Sequence, residues 1–221
     1  MKAMVLLSGG VDSATCLGIA VDKYGKDNVI ALSISYGQKH DKEIKASQDV
    51  AKYYGVEHLY LDLAKIFQYS DCSLLSHSDK EIPKEAYSEQ IKKTEGTPVS
   101  TYVPFRNGLF LSSAASIALS KNCDVIYYGA HSDDSAGSAY PDCSDEFNKA
   151  INEAIYLGSG KQLKVVAPFI NKTKAGQAML AVSEDKGAAQ LMGINVNKTI
   201  SMTFAIGSAL AAIAGVLLCS A

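Results

Sequence analysis

Apolar and polar positions along the chain fall into repeated blocks: a short apolar run, a polar or glycine-rich turn, then apolar residues at helical spacing. AMVLL (Ala3 to Leu7) is the first run and ATCLGIAVDKY (Ala14 to Tyr24) the first helical stretch. VIALSISY (Val29 to Tyr36) is β-rich, DKEIKASQDVAKYYG (Asp41 to Gly55) has helical spacing ended by glycine, and HLYLDL (His58 to Leu63) alternates as a strand does. After a polar stretch from about Lys65 to Pro98 come a small-residue helix over Asn107 to Ser120, a strand over CDVIYYGA (Cys123 to Ala130) and a helix over Asp145 to Leu157. Strand–helix repetition of this kind predicts an α/β fold, a parallel sheet with helices on both faces. Ligands of such sheets bind outside the carboxyl ends of the strands. Tyr36, the Gly129 to Asp134 loop and the turn after Leu7 all lie at such ends and are predicted to converge on one cleft.

The turn after the first strand reads SGGVDS (Ser8 to Ser13). Strand, glycine turn and helix in that order aim backbone N–H groups and a helix N-terminus at one spot, which suits a phosphate. Gly9 and Gly10 carry no Cβ to block an anion and permit the positive φ of a tight turn. Ser8, Ser13 and Thr15 offer hydroxyl donors. The spacing is not that of the Walker loop and no lysine stands in the turn, so the γ-phosphate is not the obvious target. Asp12 would repel bare phosphate yet suits Mg²⁺ bridging phosphate oxygens. The candidate ATP-binding stretch is thus Leu7, Ser8, Gly9, Gly10, Val11, Asp12, Ser13, Ala14, Thr15, Cys16 and Leu17. An ordinary glycine turn with a serine cap is the plainer alternative.

Other residues carry two readings each. His40 suits phosphate-charge stabilisation or proton shuttling, or is a solvated loop residue. Arg106, wedged in VPFRN at a helix entrance, suits a phosphate or carboxylate fork, or is a surface charge. Asn107 is either a ligand contact or the N-cap of the helix it opens. Asp133, Asp134 and Asp142 are either turn formers or acceptors for the adjacent N–H donors of a purine-like base. Tyr140 and Phe147 either sandwich a heterocycle or pack in the core.

Composition narrows the class. With 48% hydrophobic residues in 221, a sizeable core can form, and the net charge of −2 gives no electrostatic footprint for nucleic acid. Five widely spaced cysteines argue against a disulfide framework and for a reducing cytoplasm.

The hexapeptide SGGVDS resembles the PP-loop of ATP pyrophosphatases, which adenylate a substrate and release pyrophosphate. YGQKH (Tyr36 to His40), STYVPFRN (Ser100 to Asn107), GAHSDDSAGSAYPDC (Gly129 to Cys143) and DEF (Asp145 to Phe147) follow in order. Together, over roughly Met1 to Lys174, these blocks resemble the 7-cyano-7-deazaguanine synthase family. The resemblance implies a Rossmann-like fold of the adenine nucleotide alpha hydrolase type, ATP and Mg²⁺, and an ATP-dependent C–N ligase of queuosine biosynthesis. It implies that the carboxylate of 7-carboxy-7-deazaguanine attacks the ATP α-phosphate and that ammonia displaces AMP to give an amide. A second activation with loss of water then gives the nitrile. Asp12, His40 and Arg106 are the implied catalytic residues. Tyr36, Gln38, Arg106, Asn107, Asp133, Tyr140, Asp142 and Phe147 are the implied substrate-binding ones. A homodimer is implied as well. The alternatives are another PP-loop adenylating enzyme acting on tRNA or an amide acceptor, and a non-catalytic fragment.

The C-terminal part departs from that family, whose four-cysteine cluster binds a structural Zn²⁺; after Cys143 only Cys219 remains, so no metal ligands are assigned. The sequence divides into a PP-loop unit at 1–174 and a hydrophobic tail at 175–221. Thr199 to Ala221 has no charged residue over 23 positions. As a helix of about 34 Å it predicts a membrane span, with possible tethering to an inner membrane. From about Lys172 the chain resembles an internal segment of branched-chain amino acid ABC transporter permeases, which reads as a chimeric join.

Overall fold

The computed structural model describes residues 1–39, 42–83, 97–130 and 139–170, and further along 182, 187, 190, 195–201 and 203. Five strands form one parallel sheet: β1 (Ala3–Leu6), β2 (Val29–Ser35), β3 (Glu57–Asp62), β4 (Val125–Tyr127) and β5 (Lys164–Val166). Their order across the sheet is β3-β2-β1-β4-β5. The helices that cover it are α1 (Val11–Tyr24), α2 (Lys42–Tyr54), α4 (Arg106–Ser120) and α5 (Asp145–Gly158), with a single turn α3 (Ala64–Phe67) after β3.

The side chains of β1 and β2 alternate between two buried faces, which is why their sequences read as continuous apolar runs. Ala3, Val5, Val29, Ala31, Val125 and Tyr127 pack with Ala14, Leu17 and Ala20 of α1 and Val50 and Ala51 of α2. Met4, Ile30, Leu32, Ile126 and Val165 pack on the other side with Leu111, Ala114 and Ala118 of α4 and Ile155 of α5. The small residues of α1 and α4 let both helices lie close to the sheet. The predicted layering of helices on both faces is therefore present.

From β1 the chain winds outward through β2 to β3, then returns to lay β4 on the opposite side of β1. Strand order reverses between β1 and β4, and the crevice outside their carboxyl ends is the place where such sheets take ligands. A third apolar cluster, Tyr36, Phe67, Cys72, Leu75 and Val103, sits beside that crevice. It holds the segment after β2 by an antiparallel bridge between Gln38 and Leu75.

One predicted strand is shorter in the structure, and one further strand appears. The strand expected over Cys123 to Ala130 keeps ladder geometry only over Val125–Tyr127, with one more bond from Tyr128 N to Val166 O at 3.1 Å. Beyond it the chain turns in against α1. Strand β5 was not predicted, because three residues carry no readable period. Its position comes from pairing with β4 and from Asn152 Oδ1 of α5, which accepts Val165 N–H at 2.7 Å. Among the described residues no helix is long and apolar enough to cross a membrane. The predicted span lies almost wholly outside them.

Candidate functional site

The Ser8 to Ser13 turn is braced by its own hydroxyls. Ser13 Oγ accepts Ser8 N–H at 3.1 Å, donates to Gly10 O at 3.0 Å and lies 3.0 Å from Ser8 Oγ. Ser8 Oγ accepts Gly10 N–H at 3.3 Å. Gly10 is the N-cap of α1 in extended conformation and, as a glycine, supplies no side-chain cap of its own. The N-terminus of α1 opens toward the crevice, where its dipole suits an anion.

The two glycines differ in what they do. Gly9 has φ +85°, and a Cβ there would meet Ser47 N at 2.7 Å and Glu43 O at 2.8 Å. Its missing side chain lets the turn seat against α2, whereas the expectation was clearance for an anion. Gly10 has only Ser8 Oγ within reach of a Cβ, at 3.5 Å, and faces open space. Clearance for a ligand belongs to Gly10.

Part of the candidate ATP-binding stretch points elsewhere. Ala14, Thr15, Cys16 and Leu17 are buried, three of them in the core between α1 and the sheet. Thr15 Oγ1 donates to Val11 O at 2.7 Å, so the expected Thr15 donor is spent within the helix and does not line the cleft. Burial, with Asp12 adding to it, pushes the Cys16 thiol well above its ordinary value and leaves it protonated.

Gly129, at the exit of β4, closes the other side. A Cβ there would stand 2.8 Å from the Asp12 carbonyl carbon and 2.9 Å from Ser13 N. Backbone atoms cannot swing aside as a side-chain tip can, so Gly129→Ala is expected to force β4 and α1 apart. We expect ATP affinity to fall about tenfold or more, with about 1–3 kcal/mol lost in denaturant unfolding.

The third wall is the start of α4. Arg106 is the only arginine in the chain. Its Nη1 donates to Tyr36 OH at 3.2 Å, and its guanidinium carbon lies 5.1 Å from the centre of that ring. Burial works against its charge, while Tyr36, Asp142 and Cys143 favour it, and the balance holds Arg106 above the ordinary guanidinium value. Burial likewise raises the Tyr36 phenol, against Arg106. Tyr36 itself is fixed by Phe67 and Phe110, with ring centres at 6.1 and 5.7 Å. Gln38 Oε1 accepts Tyr36 N–H at 2.9 Å.

Asn107 is not the N-cap of α4. Phe105 holds that position with φ 56° and provides no side-chain cap. The capping acceptor comes from far along the chain: Asp142 Oδ2 takes Asn107 N–H at 2.8 Å. Asn107 Nδ2 donates to Asp142 O at 3.1 Å and to Cys143 Sγ at 3.2 Å. Burial raises the Asp142 carboxyl, opposed by Asn107 N–H and by Arg106. One oxygen of this aspartate is thus committed to the helix that presents Arg106.

These walls enclose a cleft of about 280 Å³. It brings together Leu7, Ser8, Gly10, Asp12 and Ser13 with Tyr36, Gln38, Arg106 and Asn107. Tyr140, Asp142 and Phe147 do not line it; Tyr140 packs on Tyr102 and Phe147 on Phe105, with centres at 6.2 and 5.9 Å. The sandwich of a heterocycle between Tyr140 and Phe147 is therefore replaced by two separate aromatic pairs. Gly9 and Val11 lie behind the lining. His40, Asp133 and Asp134 fall outside the described residues.

Sequence reasoning missed Glu43, Ser33 and Ser47 and the apolar floor of Leu6, Leu32 and Ile34. Leu6, Leu32 and Ile34 read as strand core because they are that too, at the last turns of β1 and β2. Ser33 had a signal, a hydroxyl at an inward position of a buried strand. Glu43 had none.

The donor set fits Mg²⁺ held with phosphates, since Asp12 and Glu43 both face the cleft beside the open turn. No group of three or more His, Cys, Asp or Glu that could hold a metal ion occurs among the described residues.

Residues 2–202 match the family model described as queuosine biosynthesis protein QueC, so the match runs past Lys174. A 7-cyano-7-deazaguanine synthase of Archaeoglobus fulgidus is 42% identical over 176 residues, covering 79% of this chain and 69% of its own length. The synthase of Oceanobacillus iheyensis is 36% identical, covering 82% of this chain and 78% of its own. Among solved structures, the U34-tRNA thiolase NcsA from Methanococcus maripaludis with its 4Fe-4S cluster superimposes with a TM-score of 0.49 at 18% identity. That alignment covers 82% of this chain and 55% of the thiolase.

Proposed function

The chain belongs to the QueC family of queuosine biosynthesis proteins, and on that premise we propose that it is an ATP-dependent ligase forming 7-cyano-7-deazaguanine from 7-carboxy-7-deazaguanine and ammonia. The observation that carries the reading is the convergence of the glycine turn at the start of α1 and the only arginine of the chain on one cleft. Turn amides and the α1 N-terminus hold the inner phosphates of ATP. Asp12 and Glu43, both in the cleft lining, would hold Mg²⁺, which would supply charge neutralisation at the phosphates. Arg106, clamped by Tyr36, faces the turn and stabilises charge that develops as the substrate carboxylate attacks the α-phosphate. The residues then hold the acyl adenylate while ammonia displaces AMP, and a second activation with loss of water leads to the nitrile. Positioning and charge stabilisation suffice, and no protein nucleophile takes part.

His40 and Asp133 remain proposed as a phosphate-charge partner and a base contact. A small-molecule substrate, no nucleic acid and a cytoplasmic setting complete the reading, supported by the buried thiols of Cys16, Cys72 and Cys123. We assign the nucleotide chemistry to 1–174; the family match continues to residue 202, so residues 175–202 belong with the family, and a membrane contact of 199–221 is proposed on its apolar sequence alone.

Pyrophosphate release by the full chain tests this, with ATP, Mg²⁺, ammonia and 7-carboxy-7-deazaguanine. Release should depend on the deazapurine acid and should fall about 10²-fold or more in Asp12→Asn. Release that depends on tRNA instead would move the chain to another PP-loop activity. A chain truncated after Lys174 run in parallel would report whether 175–221 contributes.

A further inference from the structure

Ser33 is a polar residue where its neighbours on the same face of β2, Val29 and Ala31, are apolar core. Its side chain is 3% exposed. Ser33 Oγ lies 2.7 Å from Leu7 O, 2.9 Å from Ser47 Oγ and 2.8 Å from His58 Nε2. Ser47 Oγ donates to Ile44 O at 2.7 Å. A serine hydroxyl carries one proton. Leu7 O can only accept and claims the Ser33 proton, and the Ser47 proton lies between Ile44 O and Ser33 Oγ. His58 must then bring its own proton to Ser33, as the Nε2–H tautomer. The opposite tautomer would draw the Ser33 proton away and leave Leu7 O unpaired in a residue 2% exposed, which is costly.

That carbonyl has a special place. Leu7 C=O and Ser8 N–H belong to one planar peptide. Ser33 holds the carbonyl side of this plane and Ser13 Oγ holds the N–H side. The plane is the first of the phosphate turn, so its orientation sets the course of the chain that follows. Ser47 ties the same point to α2, whose backbone packs against Gly9.

We propose that His58 and Ser33 form a positioning relay beneath the turn: Nε2–H of His58 donates to Ser33 Oγ, and Ser33 pins the Leu7 carbonyl and with it the course of the chain through the turn into α1. The relay rests on the ATP reading of the turn for its effect on binding, but not for its existence. His58 sits on the edge strand β3 and does not line the cleft, so it acts on a ligand only through Ser33. Burial holds its imidazole below the ordinary value, which keeps it neutral in mildly alkaline buffer.

The test uses the full chain labelled with ¹⁵N at pH 8. Imidazole correlation spectra should show His58 protonated at Nε2, and Ser33→Ala and His58→Ala should both shift the Ser8 amide. In calorimetry with ATP and Mg²⁺, each single variant should bind about five- to tenfold more weakly, and the double variant no more weakly than Ser33→Ala. His58→Gln, whose amide can donate from near the Nε2 position, should bind within about twofold of the parent. An Nδ1–H tautomer, additive losses in the double variant, or unchanged affinity in His58→Ala overturns the relay. Should the parent bind no ATP while the tautomer and the Ser8 shifts are as stated, the relay stands and the ATP reading falls.

Discussion

Gly9→Ala is expected to be the most destabilising single-methyl change in the site, while Gly10→Ala next to it leaves stability nearly untouched. Gly9 has a positive φ of 85°, where an L side chain is strained, and its new Cβ would press on the backbone of α2 at 2.7 Å from Ser47 N and 2.8 Å from Glu43 O. Strain and overlap together should cost about 2–6 kcal/mol. For a chain of this size that is a fall in melting temperature on the order of 10 °C. Gly10 has an ordinary φ of −80° and open space around its hydrogen. Its variant should unfold near the parent temperature yet bind ATP more weakly, because the added methyl stands at the mouth of the turn. Thermal unfolding and calorimetry on both variants decide the matter. Equal stability losses would show that the turn does not seat on α2 as described.

Arg106→Ala should lower kcat/KM for pyrophosphate release by about 10²–10³-fold. No other arginine exists to substitute for it, and its guanidinium is held by the Tyr36 hydroxyl and ring, not by solvent. Arg106→Lys keeps the charge but loses the planar fork and the stacking, so it should recover little of the loss. The deficit should lie mainly in kcat, since the charge that Arg106 offsets develops during attack on the α-phosphate. A variant with normal kcat and only a raised KM would reduce Arg106 to a ground-state binding group. Steady-state kinetics with saturating ATP separates the two.

Local chemistry carried much of this protein in readable form. The glycine turn after AMVLL, the α/β alternation and the helices over α1, α2, α4 and α5 follow from period and turn residues, which act between near neighbours. So does the grouping of the turn, Tyr36 and Gly129 at strand ends. The roles of particular atoms did not follow. That Gly9 serves α2, that Asp142 caps a helix beginning 36 positions earlier, and that Ser33 lies under the turn depend on contacts between distant segments. Strand β5 likewise exists only because β4 and α5 give it a place.

Backbone preference and hydrophobic period are short-range, and they were enough to set out the first four strands, the phosphate-type turn and the arginine at a helix start. Which of those residues face the cleft and which are spent inside the fold came from packing between distant segments. A hydroxyl or carboxylate has few bonds to give, and its nearest partner in space is not written in its neighbours along the chain.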